Sequence, residues 1–155
     1  MGLHILKDSL EELIEHWKNQ GIEIVRGFDY QIDAFEKVAE IELPGDFREY
    51  FRTVNGMPSH FPDWMDKEGF LFYPIEEVEP FNKVFKKRWG NRDKRNIFVF
   101  AEYLHKSWWY GVRLSDVKDT YEIGIIPDED QFKPITNSLP DFIQFYLQDA
   151  ALLYG

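Results

Sequence analysis

The chain has 155 residues, the size of one domain, and 17% of them are aromatic, which points to an aromatic-rich core or binding face. A hydrophobic share of 44% and a charged share of 30% exclude a disordered or fibrous chain, and the lack of cysteine excludes disulfides, thiolate metal sites and cysteine nucleophiles. The formal net charge of −10 repels phosphate backbones and attracts basic partners.

The pattern along the chain predicts helices first. Ser9 and Glu12 have the spacing of a capping box, and Leu10, Leu13, Ile14 and Trp17 follow at helical intervals, so a helix is expected from Ser9 to a stop at Gly21. Residues 22–25 read as a short strand or a lead-in. A second helix is expected over about residues 30–39, with Ile32, Phe35 and Val38 on one face. Leu43-Pro44 breaks it, because the residue before a proline avoids helical angles. A third helix follows, with Phe47, Tyr50, Phe51 and Val54 at i, i+3, i+4 and i+7 as a core stripe, and Asn55-Gly56 ends it.

The period then changes from 3.6 to 2. Residues 69–73 read as a strand closed by Pro74. Ile97–Tyr103 is apolar on nearly both faces, as a central strand should be. Trp108–Leu114 alternates, so Trp108 and Trp109 face opposite ways; with both sheet faces covered both are core, and with one face open the outward one is an exposed anchor. Tyr121–Ile126 follows a polar turn. Residues 132–136 contain Pro134, which cannot donate to a ladder, so an edge strand is expected. A last helix begins near Ser138 and carries Phe142, Phe145, Tyr146, Leu152 and Leu153. The expected fold class is α+β: N-terminal helices, a mostly antiparallel or mixed sheet of four to six strands, and a closing C-terminal helix in one domain over residues 1–155.

No constellation argues for catalysis. His60, Asp63 and Asp66 share a proline-rich loop and offer one imidazole and two carboxylates. Their spacing does not give closed coordination, so a solvated loop anchored by Trp64 is preferred over a metal site. Asp128-Glu129-Asp130 lacks the calcium-loop spacing and reads as a solvated turn. His105 has no orienting acid beside it, and no glycine-rich phosphate loop occurs, so neither cofactor nor enzyme activity is expected. Residues 83–95 carry seven Lys and Arg against one acidic residue. They read as a charged segment beside an acidic body, pairing with Glu76, Glu77 and Glu79, rather than as a nucleic-acid patch.

The block Ile41-Glu42-Leu43-Pro44-Gly45-Asp46-Phe47-Arg48-Glu49-Tyr50-Phe51, running into Asn55-Gly56, resembles the SUKH superfamily, which includes bacterial immunity proteins and the fungal cell-wall-assembly regulators. Phe72-Tyr73-Pro74-Ile75-Glu76-Glu77-Val78, the strand at 97–102 and Ile135-Thr136-Asn137-Ser138-Leu139-Pro140-Asp141-Phe142-Ile143 resemble the family in the same order. Residues 82–96 depart from its simplest pattern. The resemblance implies a non-enzymatic binding domain, most often an antitoxin that neutralises a co-encoded toxin such as a nuclease; the alternative is a regulatory adaptor for another protein, and a less favoured third reading is an enzyme or small-ligand-binding domain with an aromatic pocket near Trp108 and Trp109. The expected partner is a protein toxin with a basic surface. Charge and loop placement nominate Asp63, Asp66, Glu68, Glu76, Glu77 and Glu79 as its acidic contacts, with Trp64 as an anchor. No run reaches about 18 apolar residues, and residues 1–8 have neither a basic start nor a long apolar stretch, so no membrane span or secretory signal is expected and the expected compartment is the cytoplasm.

Overall fold

Gly45–Thr53 places an aromatic stripe at the centre of the molecule: Phe47, Tyr50 and Phe51 are buried, and the Phe47 ring meets those of Tyr50, Phe98, Phe100 and Tyr121 edge-on at 5.4–6.4 Å. The computed structural model describes residues 2–57, 65–81, 96–128 and 131–154. Among these residues the helices are α1 (Gly2–Asn19), α2 (Asp29–Ala39), α3 (Gly45–Thr53) and α4 (Leu139–Leu147). The strands are β1 (Phe70–Phe72), β2 (Glu79–Pro80), β3 (Ile97–Tyr103), β4 (Trp108–Leu114), β5 (Tyr121–Ile126) and β6 (Lys133–Thr136). All six form one antiparallel sheet, the fold class expected.

The sheet runs β1-β3-β4-β5-β6, and β2 pairs with β3 on the same side as β1. β1 and β2 therefore lie end to end along one strand, separated by a 3-10 turn at Ile75–Glu77. Pro134 lies in β6, the edge strand, where its missing N–H is harmless. The β3–β4 register slips between Val99 and Ala101. This bulge lets Phe98, Phe100 and Ala101 all join the main core under the helices, while Ile97 and Val99 serve a smaller cluster with Phe81 and Ile126. Trp108 is half-buried against the main core and Trp109 half-buried against the smaller cluster, so the two indoles do face opposite ways.

Three expectations need correction. The first helix starts before Ser9: that side chain is buried mid-helix and accepts a hydrogen bond from Gln144 Nε2 of α4 at 3.2 Å, so it caps nothing. Val38 is 77% exposed. Steps of three residues lag by about 60° each on a helix with 3.6 residues per turn, so two steps from buried Ile32 leave the core face. α4 ends at Leu147, and Leu152 and Leu153 belong to a separate 3-10 turn, Ala151–Tyr154, in which Leu153 is buried and Leu152 exposed.

Two joints fix the layout. Gly21, with φ +78, ends α1, and Gly56, with φ +65, packs so closely on the Tyr73 backbone that a Cβ would collide with its carbonyl. Arg48 of α3 bridges Asp33 and Glu36 of α2 at 3.1 and 2.5 Å, and Arg52 binds Asp29 at 2.7 Å. The Arg52 hydrogen bond holds the Asp29 carboxyl below the usual carboxylate range.

The Tyr50 hydroxyl is buried and has no hydrogen-bond partner among the described residues. An orphaned buried hydroxyl is a standing cost, so Tyr50→Phe should raise stability by about 1 kcal/mol, read from the urea midpoint. A loss of stability instead would show that the hydroxyl is satisfied.

Candidate partner-binding surface

The acidic turn after β1 is built by alternation. Ile75 and Val78 are buried, which turns Glu76 and Glu77 outward, and Glu79 is exposed on β2. Asn55, at the end of α3, holds the turn in place. Its Oδ1 accepts from the Ile75 N–H at 2.7 Å, and its Nδ2 donates to Glu76 Oε1 at 2.8 Å. The Asn-Gly stop thus does more than end a helix: it orients one of the nominated carboxylates.

Facing this turn across a groove of about 500 Å³ is the outer side of α2. Tyr30, Phe35 and Val38 form one wall; Ile75, Val78 and Pro80 form the other, with Glu76 and Glu79 on the rim. Tyr30 is 69% and Phe28 60% exposed, and their rings stack at 5.7 Å and 13°. Val38, also exposed, lines the same groove as Tyr30. Sequence reasoning missed Phe28 and Tyr30 as surface anchors. The available signal was their place outside the Ile32–Phe35 stripe at the start of a helix. Gln31 marks that start, since its Oε1 accepts from the Phe28 N–H at 2.8 Å.

The charges on the two sides of α2 differ. Toward α3, Asp29, Asp33 and Glu36 each meet an arginine. Toward the groove, no Lys or Arg of the described residues pairs with Glu76 or Glu79.

The other nominated residues separate. Glu68 is exposed at the turn before β1. Asp66 is 5% exposed. It accepts from the backbone N–H of Glu68 at 2.9 Å and of Phe70 at 2.8 Å on one oxygen, and from the Tyr146 hydroxyl on the other. That hydroxyl in turn accepts from Trp17 Nε1 at 2.9 Å. Asp66 therefore ties the β1 turn to α1 and α4 and is withdrawn from the contact surface. Asp63, Trp64, His60 and the basic run 83–95 lie outside the described residues.

A second groove, about 780 Å³, runs between α1 and α3. Three of its four acids are engaged: Asp46 accepts from the Tyr121 hydroxyl, Asp119 from the Gly45 N–H, and Glu49 pairs with Arg52, while Glu11 is exposed. On the far face of the sheet, buried Glu102 accepts from the Tyr73 hydroxyl at 2.6 Å. His105 is exposed in a hairpin where Leu104, His105 and Lys106 all have positive φ. Among the described residues no three His or acidic side chains gather as metal ligands, and no helix is long and apolar enough to cross a membrane.

No curated protein sequence matches the chain significantly. The family profile described as SMI1 / KNR4 family (SUKH-1) matches residues 29–144, from the first residue of α2 into α4, and so takes in the acidic turn, the groove and the whole sheet. The chain belongs to the SMI1/KNR4 (SUKH-1) family.

Proposed function

We propose that the chain is a non-enzymatic immunity protein that binds and neutralises a co-encoded toxin domain in the cytoplasm. The observation that supports this reading best is the exposed aromatic and acidic face formed by α2 and the 3-10 turn on a domain of this family. The toxin presents a basic surface, as a nuclease does around its substrate groove. Glu68, Glu76, Glu77 and Glu79, with Asp63 and Trp64, steer it in and occupy the place of its anionic substrate. Phe28 and Tyr30 supply the rigid apolar area that holds a complex once formed.

The test is growth rescue. The protein encoded immediately upstream is expressed with and without this chain. Growth arrest relieved only by this chain is the expected result. Toxicity without rescue, or no toxicity, would overturn the immunity reading and favour a regulatory adaptor, to be pursued by an unbiased pull-down.

A further inference from the structure

We infer that the groove between α2 and the 3-10 turn docks a basic amphipathic helix of the partner, with an apolar side chain between Phe35 and Val78 and a Lys or Arg on Glu76 and Glu79. This rests on the reading of the chain as a protein-binding domain and goes beyond it by naming the segment recognised and the residues that recognise it.

Three observations carry it. The groove is apolar inside and acidic at the rim, and at about 500 Å³ it holds a few side chains rather than a whole strand. The rim carboxylates have no cation among the described residues, although the same helix pairs each acid on its opposite side with an arginine. Charge complementarity therefore calls for a cationic occupant, and the Asn55 amide holds Glu76 in place to receive it. The third observation selects a helix over a strand. β2 is only two residues long and one of them is Pro80, which has no N–H to offer an added strand. A helix needs no backbone partner and buries an i, i+3, i+4 stripe in such a groove.

The probe is a synthetic helical peptide of about 14 residues, some 20 Å long, built from Leu, Ala and Lys with the leucines on one face. Its counterpart replaces every Lys with Glu. Each is titrated into the isotopically labelled full chain while amide chemical shifts are followed. The expected result is perturbation by the Lys peptide confined to residues 28–41 and 74–80, with no effect of the Glu peptide. Glu76→Gln with Glu79→Gln should weaken binding about tenfold at low salt and less at high salt. Val38→Glu should abolish it, and Val38 is exposed enough for the fold to persist. Equal shifts from both peptides, shifts centred on the groove between α1 and α3, or binding unchanged in the variants would overturn the proposal. Growth rescue by the chain carrying all three substitutions would overturn the groove while leaving the immunity reading. Peptide binding at the groove, without rescue by the native chain, would do the reverse.

Discussion

Asp66→Ala should lower stability by about 4 kcal/mol, measured as a drop in urea midpoint at unchanged slope. The carboxylate serves three donors at once: the amides of Glu68 and Phe70 and the hydroxyl of Tyr146. Alanine orphans all three in a site that is 5% exposed, and each unpaired buried group costs about 1–3 kcal/mol. Tyr146 also anchors Trp17, so the loss spreads to the contact between α1 and α4. Asp66→Asn keeps one acceptor oxygen for the two amides and should cost about half as much. A loss below about 1 kcal/mol for the alanine variant would mean that the carboxylate is solvated, and would return Asp66 to the partner surface.

Stability should collapse above about pH 10, and the cause is the tyrosines. Burial pushes the hydroxyls of Tyr50, Tyr73, Tyr110, Tyr121 and Tyr146 well above their ordinary range, with Glu102 adding to the effect at Tyr73 and Asp66 at Tyr146. An unfolded tyrosine ionises near pH 10. Above that pH the folded chain binds more protons than the unfolded one, so stability falls as pH rises; below it the contribution is fully present. Each tyrosine removes up to about 1.4 kcal/mol per pH unit, and five together about 7. A domain of ordinary stability, about 5–15 kcal/mol, is then exhausted within about one to two pH units. Followed from pH 9 to 13, the tyrosinate absorbance of the five buried tyrosines should rise in the same step in which far-ultraviolet circular dichroism is lost. Smooth titration of all tyrosines near pH 10 with the fold intact would contradict the burial of these hydroxyls.

The local signals in the sequence mostly sufficed where a decision was local. The buried stripe from Phe47 to Val54, the proline before α3 and the edge-strand proline each act within one turn or one strand, and the structure has each of them, while α3 ends at Thr53, just ahead of the Asn-Gly pair. Val38 and the end of α4 were misread from local spacing itself, while the other misreadings concern partners far along the chain. Ser9 has the spacing of a cap, but Gln144 decides that it faces another helix. Asp66 looks like a loop carboxylate until Tyr146, 80 residues later, encloses it. The candidate surface divides in the same way. Glu76, Glu77 and Glu79 were visible as charges after a strand. The second wall of their groove was not, because α2 comes against the acidic turn only through the fold.

The hydrogen bond between Trp17 and Tyr146 spans 129 residues. At about 5–20 residues per second, a ribosome needs roughly 6 to 26 s to make that stretch. Until α4 emerges, Leu10, Leu13 and Trp17 lack the helix that encloses them. β3 to β6, by contrast, are neighbours in sequence and can pair as they appear. Synthesis therefore leaves an early apolar helix waiting for a late one, and this is the interval in which a nascent chain of this design is open to chaperone capture or to aggregation with its own copies.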